Sequence, residues 1–280
     1  MNPETLAIFF GLASAMTWGA GDFSGGLATK KTTVYTVVLI SQIVGGFFLV
    51  GLALLFRETV PPVEALLWGA VAGLAGVVGL LALYRGLADG RMGIVAPLTA
   101  VLSAAIPILF SLFGEGAPSI AQMIGFGLAL AAVWLLSGVG GRSAVQPTEL
   151  GLALVAGTGF ALFFIFIDQA NEKAVFWPLA AARLTSVSCL MVVVFVRTIW
   201  ERPLRSQMPP IILAGVLDAL GNAFFVLAAR FGRLDLAAVL ASLYPATTVL
   251  LAQLFLHERL NQAQWIGILI ALLAIVFITM

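Results

Sequence analysis

Long apolar runs separated by short polar breaks fill almost the whole chain. Six of them contain no Asp, Glu, Lys or Arg: 32–56, 65–84, 92–114, 116–141, 236–256 and 260–280. A hydrocarbon core of roughly 30 Å takes about 20 apolar residues in a helix, so each of these runs is long enough to cross a bilayer. Two shorter clean runs, 5–21 and 150–167, are also within reach. Two more carry a charge well inside them, Arg183 within 174–199 and Asp218 within 206–229.

The runs predict helices, because barrel strands would alternate apolar and polar residues over about ten positions and these runs are continuously apolar. The predicted fold class is therefore all-α, a polytopic membrane protein with ten transmembrane helices. No Lys or Arg precedes Lys30, so the first run is interpreted as a retained span rather than a signal peptide. The predicted helices are 5–25, 33–56, 63–84, 92–113, 118–139, 149–168, 174–199, 208–229, 235–256 and 261–279.

Composition supports a membrane protein and argues against several function classes. Hydrophobic residues make up 61% of the 280 and charged residues 10%, whereas a soluble domain carries about 25% charged residues. The net charge of +1 argues against nucleic acid as a partner. Cys189 is the only cysteine and predicts neither a disulfide nor a metal site. With one histidine and no phosphate-binding loop or metal-ligand cluster, the sequence predicts no enzyme, no cofactor and no ATP-driven pump.

The two halves of the chain resemble each other. The widest polar break, 138–147, is rich in Gly, Ser and Pro and falls at the midpoint, which predicts one five-helix repeat over 1–141 and a second over 147–280. A shift of 142 residues aligns the glycines and glutamines of the two halves, namely Gly73 with Gly215, Gly79 with Gly221, Gly90 with Gly232, Gln122 with Gln264 and Gly125 with Gly267. An odd number of helices per repeat inverts the second half relative to the first. Inverted repeats are typical of secondary transporters, whose substrate site lies near the midplane between the repeats.

Several local patterns resemble one known family. The patterns are Trp18-Gly19-Ala20-Gly21-Asp22-Phe23 in the first helix, Tyr84-Arg85-Gly86-Leu87-Ala88 followed by Gly90-Arg91-Met92-Gly93, and Leu243-Tyr244-Pro245 followed by His257-Glu258-Arg259-Leu260, Gln264 and Gly267. Together with the repeat, they are similar to the EamA-type members of the drug/metabolite transporter superfamily. Arg183 stands where that family often has Arg in the second helix of a repeat. The first half departs from this pattern, with Ser41 or Gln42 at the corresponding place.

The resemblance implies a membrane transporter with a central cavity formed mainly by the first, third and fourth helices of each repeat. Members of the family export or exchange amino acids, nucleotide sugars, phosphorylated metabolites and drugs. The implied partners are the lipid bilayer and a small-molecule substrate, with proton coupling and a homodimer through the peripheral fifth helices as further expectations. The implied location is the plasma (inner) membrane of a bacterium, as a multi-pass protein.

Charges within the spans are candidates for chemistry, since a charge at mid-membrane costs about 3 kcal/mol on insertion scales. Asp218 has Asn222 one turn later on the same helical face, so it could bind a substrate amine or take up a proton. The alternative is a structural ion pair with Arg183. Asp22 either lies at the membrane interface near Lys30 or faces the cavity. Arg183 either pairs structurally or binds a substrate carboxylate.

Uncharged residues complete the predicted substrate site. Trp18 and Tyr244 are included because the resemblance singles out their helices, and Phe225 follows Asn222 on the same helix. Prolines inside helices free a backbone carbonyl, so Pro97, Pro107 and Pro245 are predicted hinges. The polar residues beside these prolines are further predicted ligands: Thr99, Ser103 and Ser242.

The predicted function is a secondary transporter that moves a small metabolite such as an amino acid outward by exchange or proton coupling. It would alternate between inward-open and outward-open states around the midplane cavity. Efflux of drugs or toxic compounds is the alternative, and a channel is a weaker one because too few polar residues recur on one face. The excess of Lys and Arg in odd-numbered loops places both termini outside, whereas the family resemblance implies cytoplasmic termini. The orientation therefore stays open.

Overall fold

A computed structural model describes residues 2–89, 92–114, 117–136, 146–170, 174–256 and 261–278, without the side chains of residues 84, 86–98, 114, 136, 249, 252 and 256. Within these ranges the regular structure is helical. The α-helices are α1 (Pro3–Thr29), α2 (Val34–Leu55), α3 (Val63–Asp89), α4 (Met92–Gly114), α5 (Ile120–Leu136), α6 (Pro147–Asp168), α7 (Phe176–Arg197), α8 (Met208–Phe231), α9 (Leu234–Ala241), α10 (Tyr244–Leu256) and α11 (Gln262–Ile278). A short 3-10 turn over Arg205–Gln207 precedes α8.

The prediction of one continuous helix over 235–256 is wrong. The chain leaves the helix at Ser242 and resumes it at Tyr244, which divides the segment into α9 and α10. Pro245 is the physical cause, because it lacks the backbone N–H that would continue the ladder and its ring clashes with the preceding turn. Hydrogen bonds between residues three positions apart bridge the break, from Leu243 N to the carbonyl of Leu240 and from Ala246 N to the carbonyl of Leu243.

The helices have the length and composition of membrane spans. Seven of the described segments, with α9 and α10 taken together as one, are long and apolar enough to cross a bilayer. Three shorter apolar helices lie in the stretches 99–113, 120–135 and 262–278. Large apolar side chains on these helices remain exposed, such as Phe47, Phe113 and Phe195. Such a surface suits lipid rather than water.

Helices from the first half of the chain pack mainly on helices from the second half. Helix α1 packs along α8, and α3 packs along α6. Likewise α2 contacts α8 while α3 contacts α7, and α4 contacts α6 while α1 contacts α9 and α10. Helices α5 and α11 pack against each other. Each of the contacts of α1, α2, α3 and α4 named here thus has a counterpart in which the roles of the two halves are exchanged.

The aligned glycines lie at equivalent close approaches. A Cβ added to Gly73 would lie 2.2 Å from the carbonyl oxygen of Ala182 in α7, and one added to Gly215 would lie 2.4 Å from the carbonyl oxygen of Ser41 in α2. In both places the third helix of one half meets the second helix of the other, with backbone against backbone. Small residues permit this approach, which supplies van der Waals packing where lipid offers no hydrophobic drive.

Polar contacts join the ends of α2 and α7. The carboxylate of Glu58, just after α2, accepts hydrogen bonds from the backbone N–H groups of Val175, Phe176 and Trp177 at the start of α7, at 2.7, 2.9 and 3.0 Å. At the opposite end of α2, the Thr36 hydroxyl donates to the carbonyl of Glu201, just after α7, at 3.0 Å. Helices α2 and α7 therefore run antiparallel.

Candidate functional site

A cavity of about 120 Å³ lies where the helices of the two halves meet. It is bounded by α1, α2, α3, α4, α6, α7, α8 and α10. The side chains and glycine on its wall are Trp18, Asp22, Gln42, Gly76, Val77, Leu80, Leu83, Ser103, Phe160, Phe163, Phe164, Leu179, Ala182, Arg183, Ser186, Asp218, Asn222 and Tyr244. The second helix of each half, α2 and α7, contributes to this wall in addition to the helices that the family resemblance implied.

An ion pair between Arg183 and Asp218 anchors the polar side of the cavity. The guanidinium Nη2 of Arg183 lies 2.6 Å from Oδ2 of Asp218, and its Nη1 donates to Oε1 of Gln42 at 2.5 Å. The Nδ2 of Asn222 donates to the backbone carbonyl of Asp218 at 2.6 Å and to its Oδ1 at 3.3 Å. The network connects α2, α7 and α8 and balances one positive charge with one negative charge.

Asp22 adds a second carboxylate to the cavity. It belongs to α1, and its neighbour Gly21 packs on α8, where an added Cβ would lie in ordinary contact, 3.4 Å from the backbone nitrogen of Asp218. The side chain of Asp22 is exposed and lines the cavity. Within the described ranges, its carboxylate takes part in no hydrogen bond or ion pair.

Part of the cavity wall is apolar and aromatic. Leu80 and Leu83 of α3 line it together with Phe160 and Phe163 of α6. Phe164 extends the aromatic surface, since its ring stacks on Trp18 with centroids 5.6 Å apart and on Phe225 at 4.3 Å. The cavity wall therefore combines charged side chains from α1, α7 and α8 with apolar and aromatic ones from α3 and α6.

The structure places seven of the residues proposed from sequence on the cavity wall. They are Trp18, Asp22, Ser103, Arg183, Asp218, Asn222 and Tyr244. For Arg183 and Asp218, the two interpretations that the sequence left open coexist, because the residues form an ion pair and also line the cavity. Asp22 faces the cavity rather than lying beside Lys30.

Three other proposed ligands lie behind the cavity wall. Thr99 is completely buried and its hydroxyl has no hydrogen-bond partner in the described part of the chain. Phe225 is also completely buried and reaches the cavity only through its stacking on Trp18 and Phe164. The hydroxyl of Ser242 is bonded to the carbonyl of Val239 at 2.7 Å.

The three proposed hinges differ in their local structure. Pro245 follows the break between α9 and α10 directly. Pro107 is buried inside α4, which continues through it. The side chain of Pro97 lies outside the described residues.

Sequence reasoning missed part of the cavity wall, although the repeat contained the signal. Four pairs of cavity residues are separated by 142 positions, the same shift that aligns the glycines: Trp18 with Phe160, Asp22 with Phe164, Gly76 with Asp218 and Leu80 with Asn222. Applying the shift to the candidates would have pointed to Phe160 and Phe164. Gln42 was noted only as a departure from the family pattern, yet it is the hydrogen-bond partner of Arg183.

Comparisons with known proteins agree with the fold and the repeat. The chain matches the EamA-like transporter family twice, over residues 5–138 and 148–280. A protein of Methanocaldococcus jannaschii, described as "Uncharacterized protein MJ1333.1", is 28% identical over 132 residues, which cover 47% of this chain and 96% of that protein. A solved crystal structure superposes with a TM-score of 0.81 at 18% sequence identity and covers 98% of both chains. At that identity the likeness shows the fold alone.

The two family matches account for nearly the whole chain, and the apolar helices are those of a multi-pass membrane protein. The M. jannaschii relative has about the length of one match, as expected of a unit that also occurs singly. The chain therefore belongs to the EamA-like transporter family.

Proposed function

We propose that the protein is a secondary transporter whose ten spans form two inverted five-helix repeats around the cavity. The cavity would open alternately to the two sides of the membrane as the repeats rock against each other. Its cargo would be a small metabolite such as an amino acid, moved outward by exchange or proton coupling across the plasma membrane. Efflux of drugs or toxic compounds is the second candidate, favoured by the apolar wall of the cavity.

The reciprocal helix contacts between the two halves support the proposal of an inverted repeat. Helix α1 meets α8 as α6 meets α3, and α2 meets α8 as α7 meets α3. Such reciprocal contacts are those of a pseudo-twofold axis, with α9 and α10 together acting as the fourth span of the second repeat. Since each repeat has five spans, the axis would lie in the membrane plane, as in other transporters with inverted repeats.

The position of the cavity carries the proposal. Transporters of this kind bind substrate at the interface between repeats, near the membrane midplane. Here the cavity lies between the halves, and Asp218 stands near the middle of α8. A charged residue at this depth is costly unless it is paired or faces water. Asp218 is paired with Arg183 and also lines the cavity. No enzymatic role is proposed, because the family is one of transporters.

Transport is tested with purified protein reconstituted into sealed vesicles preloaded with a metabolite panel. Uptake of labelled solute against unlabelled solute on the other side shows exchange, and an imposed pH gradient shows proton coupling. A variant Asp218→Asn should lose most uptake while its inserted amount stays near that of the wild type. An exposed acid outside the cavity, Glu64→Gln in α3, serves as the matched control. Vesicles that move no solute from a broad panel would contradict the proposal.

A further inference from the structure

The charges on the cavity wall do not balance. Among the described residues, the cavity wall carries two carboxylates, Asp22 and Asp218, and one guanidinium, Arg183. Asp218 is neutralised by Arg183 and further bonded by Asn222. The carboxylate of Asp22 therefore gives the described wall an excess of one negative charge when it is ionised. A charge in such surroundings favours a counter-charge nearby.

Asp22 is placed to meet a ligand. Its side chain is solvent-accessible and lines the cavity. It lies close enough to Asp218 for the two carboxylates to interact electrostatically. Tyr244 lines the same cavity and lies close enough to Asp22 for the two side chains to interact electrostatically. A cation bound between α1 and α8 would contact the carboxylate of Asp22 directly. The carboxylate of Asp218, which is paired with Arg183, would be nearby.

Arg183 is poorly placed to bind a substrate carboxylate. Only 11% of its side chain is exposed, and two of its nitrogens are engaged by Gln42 and Asp218 at 2.5 and 2.6 Å. To bind an anion it would have to abandon an ion pair of a kind that is costly to break. Among the described residues of the wall, the carboxylate of Asp22 is thus available to a cationic ligand, whereas the one cationic side chain, Arg183, is already paired.

The apolar residues of the wall indicate that the rest of the ligand, apart from its charged group, is apolar. Phe160, Phe163 and Leu80 line the same cavity as the charged residues. An aromatic or branched aliphatic body would bury its surface against these side chains, at about 25 cal/mol per Å² of apolar area removed from water. A small hydrated ion such as Na⁺ would gain nothing from this wall.

Building on the proposed function, we propose that the cavity recognises organic monocations, in which an ammonium group contacts Asp22 and an apolar body lies on the wall formed by α3 and α6. The amino group is the recognised feature, whereas a carboxylate on the same molecule weakens binding. Among amino-acid-like cargo, amines, amides and esters are therefore preferred to the zwitterions.

Four ligands with the same phenyl ring test the charge preference by calorimetric titration of detergent-purified protein near pH 8. Phenethylamine is the cation, phenethyl alcohol the neutral analogue, hydrocinnamate the anion and phenylalanine the zwitterion. We expect phenethylamine to bind about 10- to 100-fold more tightly than the alcohol, the range for a hydrogen bond to a charged group. Phenylalanine should fall between them, and hydrocinnamate should bind most weakly. Equal affinities, tighter binding of the anion, or no binding of the amine would overturn the inference.

Two variants locate the preference. Asp22→Asn keeps the size of the side chain and should remove the advantage of the amine over the alcohol while leaving alcohol binding unchanged. Glu4→Gln neutralises an exposed acid on the same helix, outside the cavity, and should change neither affinity. An amine preference that survives in Asp22→Asn would overturn the assignment to Asp22. If Asp22→Asn does not fold, Asp22→Glu, which keeps the charge, should preserve the preference, and the wild-type ligand series still decides the charge selectivity.

The binding experiment is independent of transport. Binding of the amine that depends on Asp22, in a protein that moves no solute in vesicles, would refute the proposed function and leave this inference standing. Uptake of zwitterions or anions with no preference for amines would refute the inference and leave the transporter standing.

Discussion

At the scale of single residues, Arg183 depends on its partners more than either carboxylate of the cavity does. Its side chain is 11% exposed, against 37% for Asp218. Removing one member of a buried pair leaves the other charge uncompensated, which costs more than the pair itself contributes. Substitutions of Arg183 and of Asp218 should therefore change the free energy of unfolding by different amounts.

The double-mutant cycle on this pair measures the coupling. We expect Asp218→Asn to lower the unfolding free energy by about 1–3 kcal/mol, because Arg183 loses its counter-charge. Adding Arg183→Gln to Asp218→Asn should recover part of the loss, since no unpaired charge then remains. The measurement is thermal unfolding in detergent of the two single variants, the double variant and the wild type. Additive losses would show that the two side chains do not interact.

At the scale of elements, contact between helix backbones governs how the halves fit together. Gly73 in α3 lies so close to α7 that no side chain fits between them, and the hydroxyl of Ser186 donates to its carbonyl at 3.0 Å. Gly215 in α8 makes the equivalent approach to α2. These contacts define the surfaces over which the repeats would move if the protein alternates between two states.

Gly73→Ala should separate α3 from α7. The new Cβ would lie 2.2 Å from a backbone carbonyl oxygen, which cannot move without shifting the helix. We expect a loss of about 1–3 kcal/mol, typical of overpacking, seen as a lower melting temperature in detergent. The matched control is Gly51→Ala in α2, where an added Cβ meets nothing within 4 Å. It should be neutral or stabilising by up to about 1 kcal/mol, because Ala favours helix more than Gly. Equal effects of the two substitutions would contradict the packing argument.

Glu58 should act as a remote N-terminal cap for α7. Its carboxylate accepts three backbone N–H groups that the helix cannot satisfy internally. We expect Glu58→Ala to cost about 1–2 kcal/mol, as loss of a cap does, and to speed hydrogen exchange of the amides at 175–177. Glu64→Gln, an exposed acid in the first turn of α3, should leave both unchanged. Unaltered exchange in Glu58→Ala would show that the cap is dispensable.

At the scale of the whole molecule, the ends of α2 and α7 fall into two groups. The loop after α2 meets the start of α7 through Glu58, and the loop after α7 meets the start of α2 through Glu201. Because α2 runs from one group to the other and is long enough to span the bilayer, the two loops should lie on opposite sides of the membrane.

Cysteine labelling tests this topology. In a Cys189→Ser background, Thr59→Cys reports on the loop after α2 and Arg202→Cys on the loop after α7, and both positions are exposed. A membrane-impermeant maleimide should label one of them in intact cells and the other only after lysis. Positive-inside logic favours the side of Arg202 as the cytoplasmic one. Labelling of both positions in intact cells would contradict the single crossing of α2. The Cys189→Ser protein itself supplies the background signal.

The sequence alone determined that this protein lies in a lipid bilayer and belongs to a helical membrane family. Spans and repeats can be recognised from local hydrophobicity and from the spacing of residues along the chain. The 142-residue shift that aligns Gly73 with Gly215 also relates pairs of residues that line the cavity. Only the tertiary structure decided the chemistry of the site. Whether Asp22 lies at the interface or faces the cavity, and whether Gln42 binds Arg183, depends on helix rotation and on contacts between segments more than a hundred residues apart. Local periodicity does not encode these contacts, since the spans are apolar on all sides. The break at Ser242 lies between these cases, because proline predicts disruption of the helix while tertiary packing determines its form.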